Sequence, residues 1–196
     1  MRYYIADCHF GHDKVRKLDK RPFETVEQMD AYMIERWNQV VRKKKDEVVI
    51  LGDFCMGKGE RVNELLSMLN GKKCLVSGNH DKMFLHDKKL DTSLFEWIYP
   101  YAELHDNNRK VILCHYPIIC YNGQYRGNKT YMLYGHVHDT KDYRNVSHFV
   151  DETRKTTCGE DGEKIPCNMI NCFTVFSDYR PLSLDEWIAR ECTSSI

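Results

Sequence analysis

Lys73-Cys74-Leu75-Val76-Ser77-Gly78-Asn79-His80-Asp81 is the stretch on which the fold of this chain turns. A short run suited to a buried strand passes through a serine and a glycine into an amide, an imidazole and a carboxylate. Four further stretches repeat the pattern. Residues 2–6 end in Asp7-Cys8-His9, and Val48-Val49-Ile50-Leu51 ends in Gly52-Asp53. Val111-Ile112-Leu113-Cys114 ends in His115, and Tyr131-Met132-Leu133-Tyr134 ends in Gly135-His136-Val137-His138. Five predicted strands therefore each deliver Asp, Asn or His just past their carboxyl end, where α/β sheets place their ligands. A random scatter of polar loop residues would not keep to that pattern.

Helices are predicted between the strands. Thr25-Val26-Glu27-Gln28 has the spacing of a capping box, and Met29, Tyr32, Met33, Trp37, Val40 and Val41 follow at helical intervals as a core stripe. Val62, Leu65, Leu66 and Leu69 form a second stripe closed by Asn70-Gly71, and Ser183-Leu184-Asp185-Glu186 opens a third helix carrying Trp187 and Ile188. Residues 170–176 read as a further strand. The segment 144–169 is polar, contains Gly159 and Gly162, shows no clear period, and reads as a long loop or excursion. The architecture expected is α/β: a two-sheet sandwich with helices outside, βαβ-type connections in the first half and more strands in the second.

Bulk properties narrow the function. The 196 residues suit a single domain, 1–196, and 42% hydrophobic with 30% charged residues is a globular composition. Lys+Arg and Asp+Glu are both 29, so nothing favours broad capture of nucleic acid or of an anionic membrane. The basic run Arg42-Lys43-Lys44-Lys45 falls at a predicted helix end, where cations suit the helix dipole. Asp7 interrupts any apolar signal region and no stretch is long enough to span a bilayer, so a cytoplasmic protein is expected. Nine cysteines without a Cys-x-x-Cys pair are then read as reduced thiols. A zinc site at Cys158, Cys167 and Cys172 is the weaker alternative.

The residues at the strand ends are two carboxylates (Asp7, Asp53), an amide (Asn79) and four imidazoles (His9, His115, His136, His138). This mixed oxygen and nitrogen set, with no thiolate, suits Mn²⁺, Fe or Zn²⁺ better than Ca²⁺ or a zinc–thiolate site. Seven ligands are too many for one tetrahedral ion and suit two ions sharing a bridge, a pair able to clamp a phosphoryl group and activate water. Asp7 and His9, like His136 and His138, stand two apart, and on extended backbone such side chains point the same way. By the same alternation Cys8 and Cys55 are expected to pack away from the site.

Asp7-x-His9, Gly52-Asp53, Gly78-Asn79-His80-Asp81, His115 and Gly135-His136-x-His138 occur together and in order, and in this the chain resembles the calcineurin-like metallophosphoesterases. The stretches His9-Phe10-Gly11-His12, Arg21-Pro22-Phe23 and Asp178-Tyr179-Arg180-Pro181 resemble a small bacterial and phage-type subgroup. The resemblance implies a four-layer αββα fold and a binuclear centre. Two divalent ions would be bound, Mn²⁺ foremost, with Fe, Zn or Ni as alternatives. Asp7, His9, Asp53 and His138 would hold one metal, and Asp53, Asn79, His115 and His136 the other, with Asp53 bridging. The nucleophile would be a metal-bridging hydroxide. His80 would protonate the leaving oxygen or steady the phosphoryl group, and Asp81 would orient His80. The phosphoprotein phosphatases follow Gly-Asp with Asp-Arg-Gly, whereas here Phe54-Cys55-Met56-Gly57 follows, which argues against a protein phosphatase. Any phosphate clamp must come from elsewhere, with His12, Arg21 and Arg126 as candidates.

Tyr121 and Tyr125 are candidate walls of a pocket, and His86, His105 and His148 read as surface histidines. The function expected is hydrolysis of a phosphodiester or phosphomonoester of a small substrate, such as a nucleotide or cyclic nucleotide. A nuclease acting on nucleic-acid ends and a non-catalytic scaffold of the same fold are the alternatives. No membrane partner and no extended nucleic-acid track are expected.

Overall fold

The computed structural model describes residues 1–156, 159 and 162–194, with the side chains of 193 and 194 excepted. Two four-stranded sheets form its centre. The first is wholly parallel, in the order β1 (Arg2–Ile5), β2 (Glu47–Ile50), β3 (Lys72–Val76), β4 (Phe95–Tyr99). The second runs β5 (Tyr101–Asp106), β6 (Arg109–Cys114), β7 (Thr130–Tyr134), β8 (Met169–Asn171). Here β5 is antiparallel to β6, while β6, β7 and β8 are parallel.

Strand alternation divides the core into three. Val49, Leu51, Cys74 and Val76 of the first sheet meet Val111, Leu113 and Leu133 of the second between the sheets. The opposite face of the first sheet, with Val48, Ile50 and Leu75, packs on α2 (Val26–Val40) and α3 (Gly59–Met68). The outer face of the second sheet, with Ile112, Met132 and Tyr134, is covered by α5 (Lys141–Thr156). The layers are thus helix, sheet, sheet, helix. The last helix, α6 (Leu184–Ser194), plugs the sandwich with Leu184 and Trp187, whose indole donates to the Tyr4 carbonyl. Two short helices, α1 (Asp13–Leu18) and α4 (Lys82–Leu85), follow two of the polar strand ends.

The capping boxes form as expected. The Thr25 hydroxyl accepts from the Gln28 amide while the Gln28 side chain reaches back, and Ser183 and Glu186 repeat the exchange. No helix among the described residues is long and apolar enough to cross a membrane. Two expectations need correction. Much of the segment read as an excursion is helix: α5 covers Lys141–Thr156, and Tyr143, Val146, Val150 and Thr153 recur along its inner side. The strand expected over 170–176 is only β8, after which the chain turns into a 3₁₀ segment, Thr174–Ser177.

Candidate metal centre

All five polar strand ends gather at one end of the sandwich, because β1, β2, β3, β6 and β7 point the same way in their sheets. Among the described residues two groups of His, Cys, Asp or Glu have the closeness of metal ligands, and neither contains cysteine. One is Asp7, His9 and His138; the other is Asp53, His115 and His136. Asn79 joins the second group, its Oδ1 lying 3.2 Å from His115 Nε2. The Asp53 Oδ2 atom faces both groups, 3.6 Å from His9 Nε2 and 3.5 Å from His115 Nε2. His80 stands at the rim with Nε2 3.9 Å from the same oxygen, and its backbone N–H donates to Asp53 Oδ1 at 2.9 Å.

Hydrogen bonds at the far side of two imidazoles assign their tautomers. His115 Nδ1 donates to the Leu51 carbonyl at 2.8 Å, and His138 Nδ1 donates to Asp19 Oδ1 at 2.7 Å. When these rings are neutral, their Nε2 lone pairs face Asn79 Oδ1 and Asp53 Oδ2 at His115, and Asp7 Oδ1 at 3.6 Å and His9 Nε2 at 3.3 Å at His138. Acceptors crowded on acceptors leave a place for a cation. Ligands about 2.1 Å from one ion lie about 3.0 Å apart at right angles and about 3.4 Å apart at tetrahedral angles, so the spacing fits.

The charges point the same way. Burial pushes Asp7 up to about 6, against the pull of His138 and His115. Burial also drives His9 down to about 2, keeping it the neutral imidazole that a metal ligand has to be. Burial opposes ionisation of Asp53, but His115, with the His80 amide and His9, more than offsets it and the carboxyl falls to about 2. Burial disfavours charge on His115 too, yet Asp53 and Asp7 lift it to about 9. The field that draws a proton to His115 would equally draw a metal ion.

Backbone conformation, rather than strand alternation, aims the ligands. Asp7, His9, Asp53, His136 and His138 all have φ between 46° and 71°, the left-handed region. Such φ values are uncommon outside glycine and here mark strain gathered at one place. The expectation that each i,i+2 pair converges from extended chain is therefore wrong in mechanism though right in outcome: tight left-handed turns bring the side chains inward. Glycines leave room for them. A Cβ on Gly52 would lie 2.3 Å from His115 Nδ1, and one on Gly135 2.5 Å from Asp7 Oδ2.

Three expected site residues take other places. Arg21 is buried and engaged on all three nitrogens: Nε and Nη2 donate to Asp19 Oδ2, Nη2 also to the Asp7 carbonyl, and Nη1 to the Cys8 carbonyl. It braces the ligand loop and has no face for substrate. Arg126 lies in the turn Gln124–Lys129 that feeds the amino end of β7, the end of the sheet opposite the metal groups. Asp81 does not have His80 among the partners of its carboxylate. It accepts the backbone amides of Asp53 at 3.0 Å, Phe54 at 2.8 Å and Gly78 at 2.8 Å, tying two ligand loops together. His12 does border the site, with Nδ1 3.2 Å from His9 Nδ1 and its ring 6.0 Å from that of His80.

Tyr121 is buried, its hydroxyl bonded to the Asn168 backbone, so it walls no pocket. The exposed Tyr116 does approach the site, its ring 4.6 Å from that of His136. Cys8 and Cys55 are buried in the core beneath the loops, as expected, and His86, His105 and His148 are exposed. Cys167 and Cys172 are buried free thiols, while Cys158 lies outside the described residues. Sequence reasoning missed Asp19, which backs His138, and Phe173, which stacks on His138 with ring centroids 4.7 Å apart. Neither belongs to a strand-end pattern, and only the fold brings them there.

Two sheets with helices on either side, and paired Asp/His groups at the strand ends, define a metal-binding αββα protein. The chain belongs to the calcineurin-like phosphoesterase family, whose model matches residues 3–188. It is 31% identical over 185 residues to the uncharacterized protein MJ1445 of Methanocaldococcus jannaschii, an alignment spanning 93% of this chain and 86% of that one. It also resembles the crystal structure of AQ665, a protein of unknown function from Aquifex aeolicus. The TM-score is 0.64 at 25% identity, covering all of this chain and 99% of the other.

Proposed function

We propose that the protein hydrolyses phosphoester bonds of a small substrate, a nucleotide or cyclic nucleotide being the class in view. The observation that carries this reading is the placement of Asp53 Oδ2 between the two ligand groups, with His80 3.9 Å away at the rim. Two divalent ions, Mn²⁺ foremost, would supply Lewis acidity toward the phosphoryl oxygens and an activated water at neutral pH.

The chain's own residues do the rest. Asp7, His9 and His138 would hold one ion and Asn79, His115 and His136 the other, with Asp53 shared. The His80 amide fixes Asp53 through Oδ1, leaving Oδ2 turned toward His9 and His115, where it would be shared by the ions. His80 Nε2, half-exposed and free to meet a substrate, would deliver a proton to the departing oxygen. His12 and Tyr116 flank opposite sides of the opening, one beside His9 and His80, the other on His136. Neither Arg21 nor Arg126 is available as a phosphate clamp, so the ions would carry that task. Free thiols at all eight described cysteines suit a reducing cytoplasm.

The test is hydrolysis of a chromogenic phosphodiester and a phosphomonoester with added Mn²⁺, beside His80→Ala and Asp53→Asn. Metal-dependent turnover is expected, abolished by Asp53→Asn and lowered about 10²–10⁴-fold by His80→Ala. Two ions bound without turnover of either ester would favour a scaffold. A steep salt dependence of binding to DNA or RNA ends would favour the nuclease alternative.

A further inference from the structure

The outer nitrogens of two ligand imidazoles are treated differently. His115 Nδ1 meets a neutral backbone carbonyl, that of Leu51. His138 Nδ1 meets a carboxylate, Asp19 Oδ1, at 2.7 Å, and Asp19 is itself nearly inaccessible, with 7% of its side chain exposed. The other oxygen of Asp19 takes two hydrogen bonds from Arg21, at 3.0 and 2.8 Å. The fully buried Arg21 guanidinium then holds the Asp7 carbonyl at 3.0 Å and the Cys8 carbonyl at 2.8 Å. The rings of Phe173 and Tyr179 lie 5.8 and 5.9 Å from the guanidinium carbon, and Phe173 also stacks on His138. One bracket thus runs from His138 through Asp19 and Arg21 to the loop carrying Asp7 and His9. Of the two candidate ligand groups, it touches the Asp7–His9–His138 group, at His138 and at the backbone of the loop carrying Asp7 and His9. His115 and His136 receive none.

We propose that Asp19 is a positioning residue for one of the two metal ions. It locks His138 in the Nδ1–H tautomer, so that Nε2 presents its lone pair, and through Arg21 it holds Asp7 and His9 in register with that nitrogen. The inference rests on the two-ion reading of the site and not on hydrolysis. A carboxylate is required because both neighbours are donors: His138 Nδ1–H on one side, the guanidinium on the other. Asparagine offers one oxygen and one NH₂, so whichever way it turns, a donor meets a donor. If the NH₂ faces His138, the proton is displaced to Nε2 and the ligand is lost. A carboxylate behind a ligating imidazole is a recurrent device for fixing tautomer and raising basicity, and its removal weakens metal binding about 10–100-fold.

The experiment is calorimetric titration of Mn²⁺ into chelator-treated protein, with bound metal counted after gel filtration. The set is wild type, Asp19→Asn, Asp19→Glu, His138→Ala and His136→Ala. Wild type should take up two ions. In Asp19→Asn one uptake step should weaken about 10–100-fold while the other is unchanged. That profile should match His138→Ala and differ from His136→Ala. Asp19→Glu, which keeps two accepting oxygens, should recover part of the loss. Ring-nitrogen NMR of the zinc form gives a second readout: the His138 Nδ1–H signal should be present in wild type and absent in Asp19→Asn. Equal weakening of both steps, no weakening of either, an unchanged His138 signal, or failure of both Asp19 variants to fold overturns the proposal. Uptake is read without substrate, so two-step binding with no ester cleavage would remove the hydrolase reading and leave this one standing.

Discussion

Replacing Asp81 by alanine tests the brace beneath the ligand loops. The carboxylate is fully buried and accepts three backbone amides, two through Oδ2 (Asp53 and Gly78) and one through Oδ1 (Phe54). A buried hydrogen bond to a charged group contributes about 1.5–3 kcal/mol, and a buried donor left dry costs about 1–3 kcal/mol. Three bonds to one carboxylate are not additive, so Asp81→Ala is expected to destabilise by about 4 kcal/mol in total. In a domain of this size that lowers Tm by roughly 10 °C. Asp81→Asn can keep its oxygen at the Oδ2 position and lose only the Phe54 amide, which predicts about half the effect. The assay is urea and thermal unfolding of chelator-treated protein, so that bound metal adds nothing. A loss below about 1 kcal/mol for Asp81→Ala would refute the brace, being no more than an average substitution costs. An asparagine variant as unstable as the alanine variant would refute the division of the amides between the two oxygens.

Gly135→Ala places a methyl 2.5 Å from Asp7 Oδ2, so it should cut Mn²⁺ uptake at the Asp7 group at least 10-fold in a titration while the protein still folds. Arg126→Ala should leave kcat/KM within about twofold of wild type, because the side chain lies at the far end of the sheet; a larger loss on any ester would contradict that placement. Glu103 is held down to about 2, first by Lys110 and then by Tyr101, against an ordinary value of 4.5. Its folded pKa is depressed, so its contribution is fully present above the ordinary value and is lost as pH falls from there through about 2. Glu103→Gln should flatten the pH dependence of unfolding in that acid window, and an unchanged slope would show that the contact contributes nothing.

The sandwich and the gathering of seven candidate ligands at one end of it were legible because each candidate follows a strand whose apolar run is unbroken, as in Val48-Val49-Ile50-Leu51 before Gly52-Asp53. The helix α5 was not. Its inner side is carried by Tyr143, Val146, Phe149, Val150 and Thr153 within a run of charged and amide residues, too sparse a stripe to stand out from a loop. Strand β5 was hidden for a related reason: Ala102 and Leu104 alternate with exposed Tyr101, Glu103 and His105, the signature of a half-exposed edge. Arg21 looked like a clamp because an arginine beside a ligand loop is ambiguous in sequence. What it touches, two carbonyls and Asp19, is set by folding. Asp19 and Phe173 are separated from His138 by 119 and 35 residues (138 − 19 and 173 − 138), and no local pattern connects them.

His9 and His138, whose Nε2 atoms lie 3.3 Å apart, are separated by 129 residues of chain. During synthesis β1, β2 and β3 can assemble while His115, His136 and His138 are still unmade. The early half therefore carries Asp7, His9, Asp53 and Asn79 as an unfinished claw. Neither group of ligands can close until β7 has been made and docked, and Phe173 must follow before His138 is stacked in place. A metal ion held by either group would therefore report that both sheets have come together.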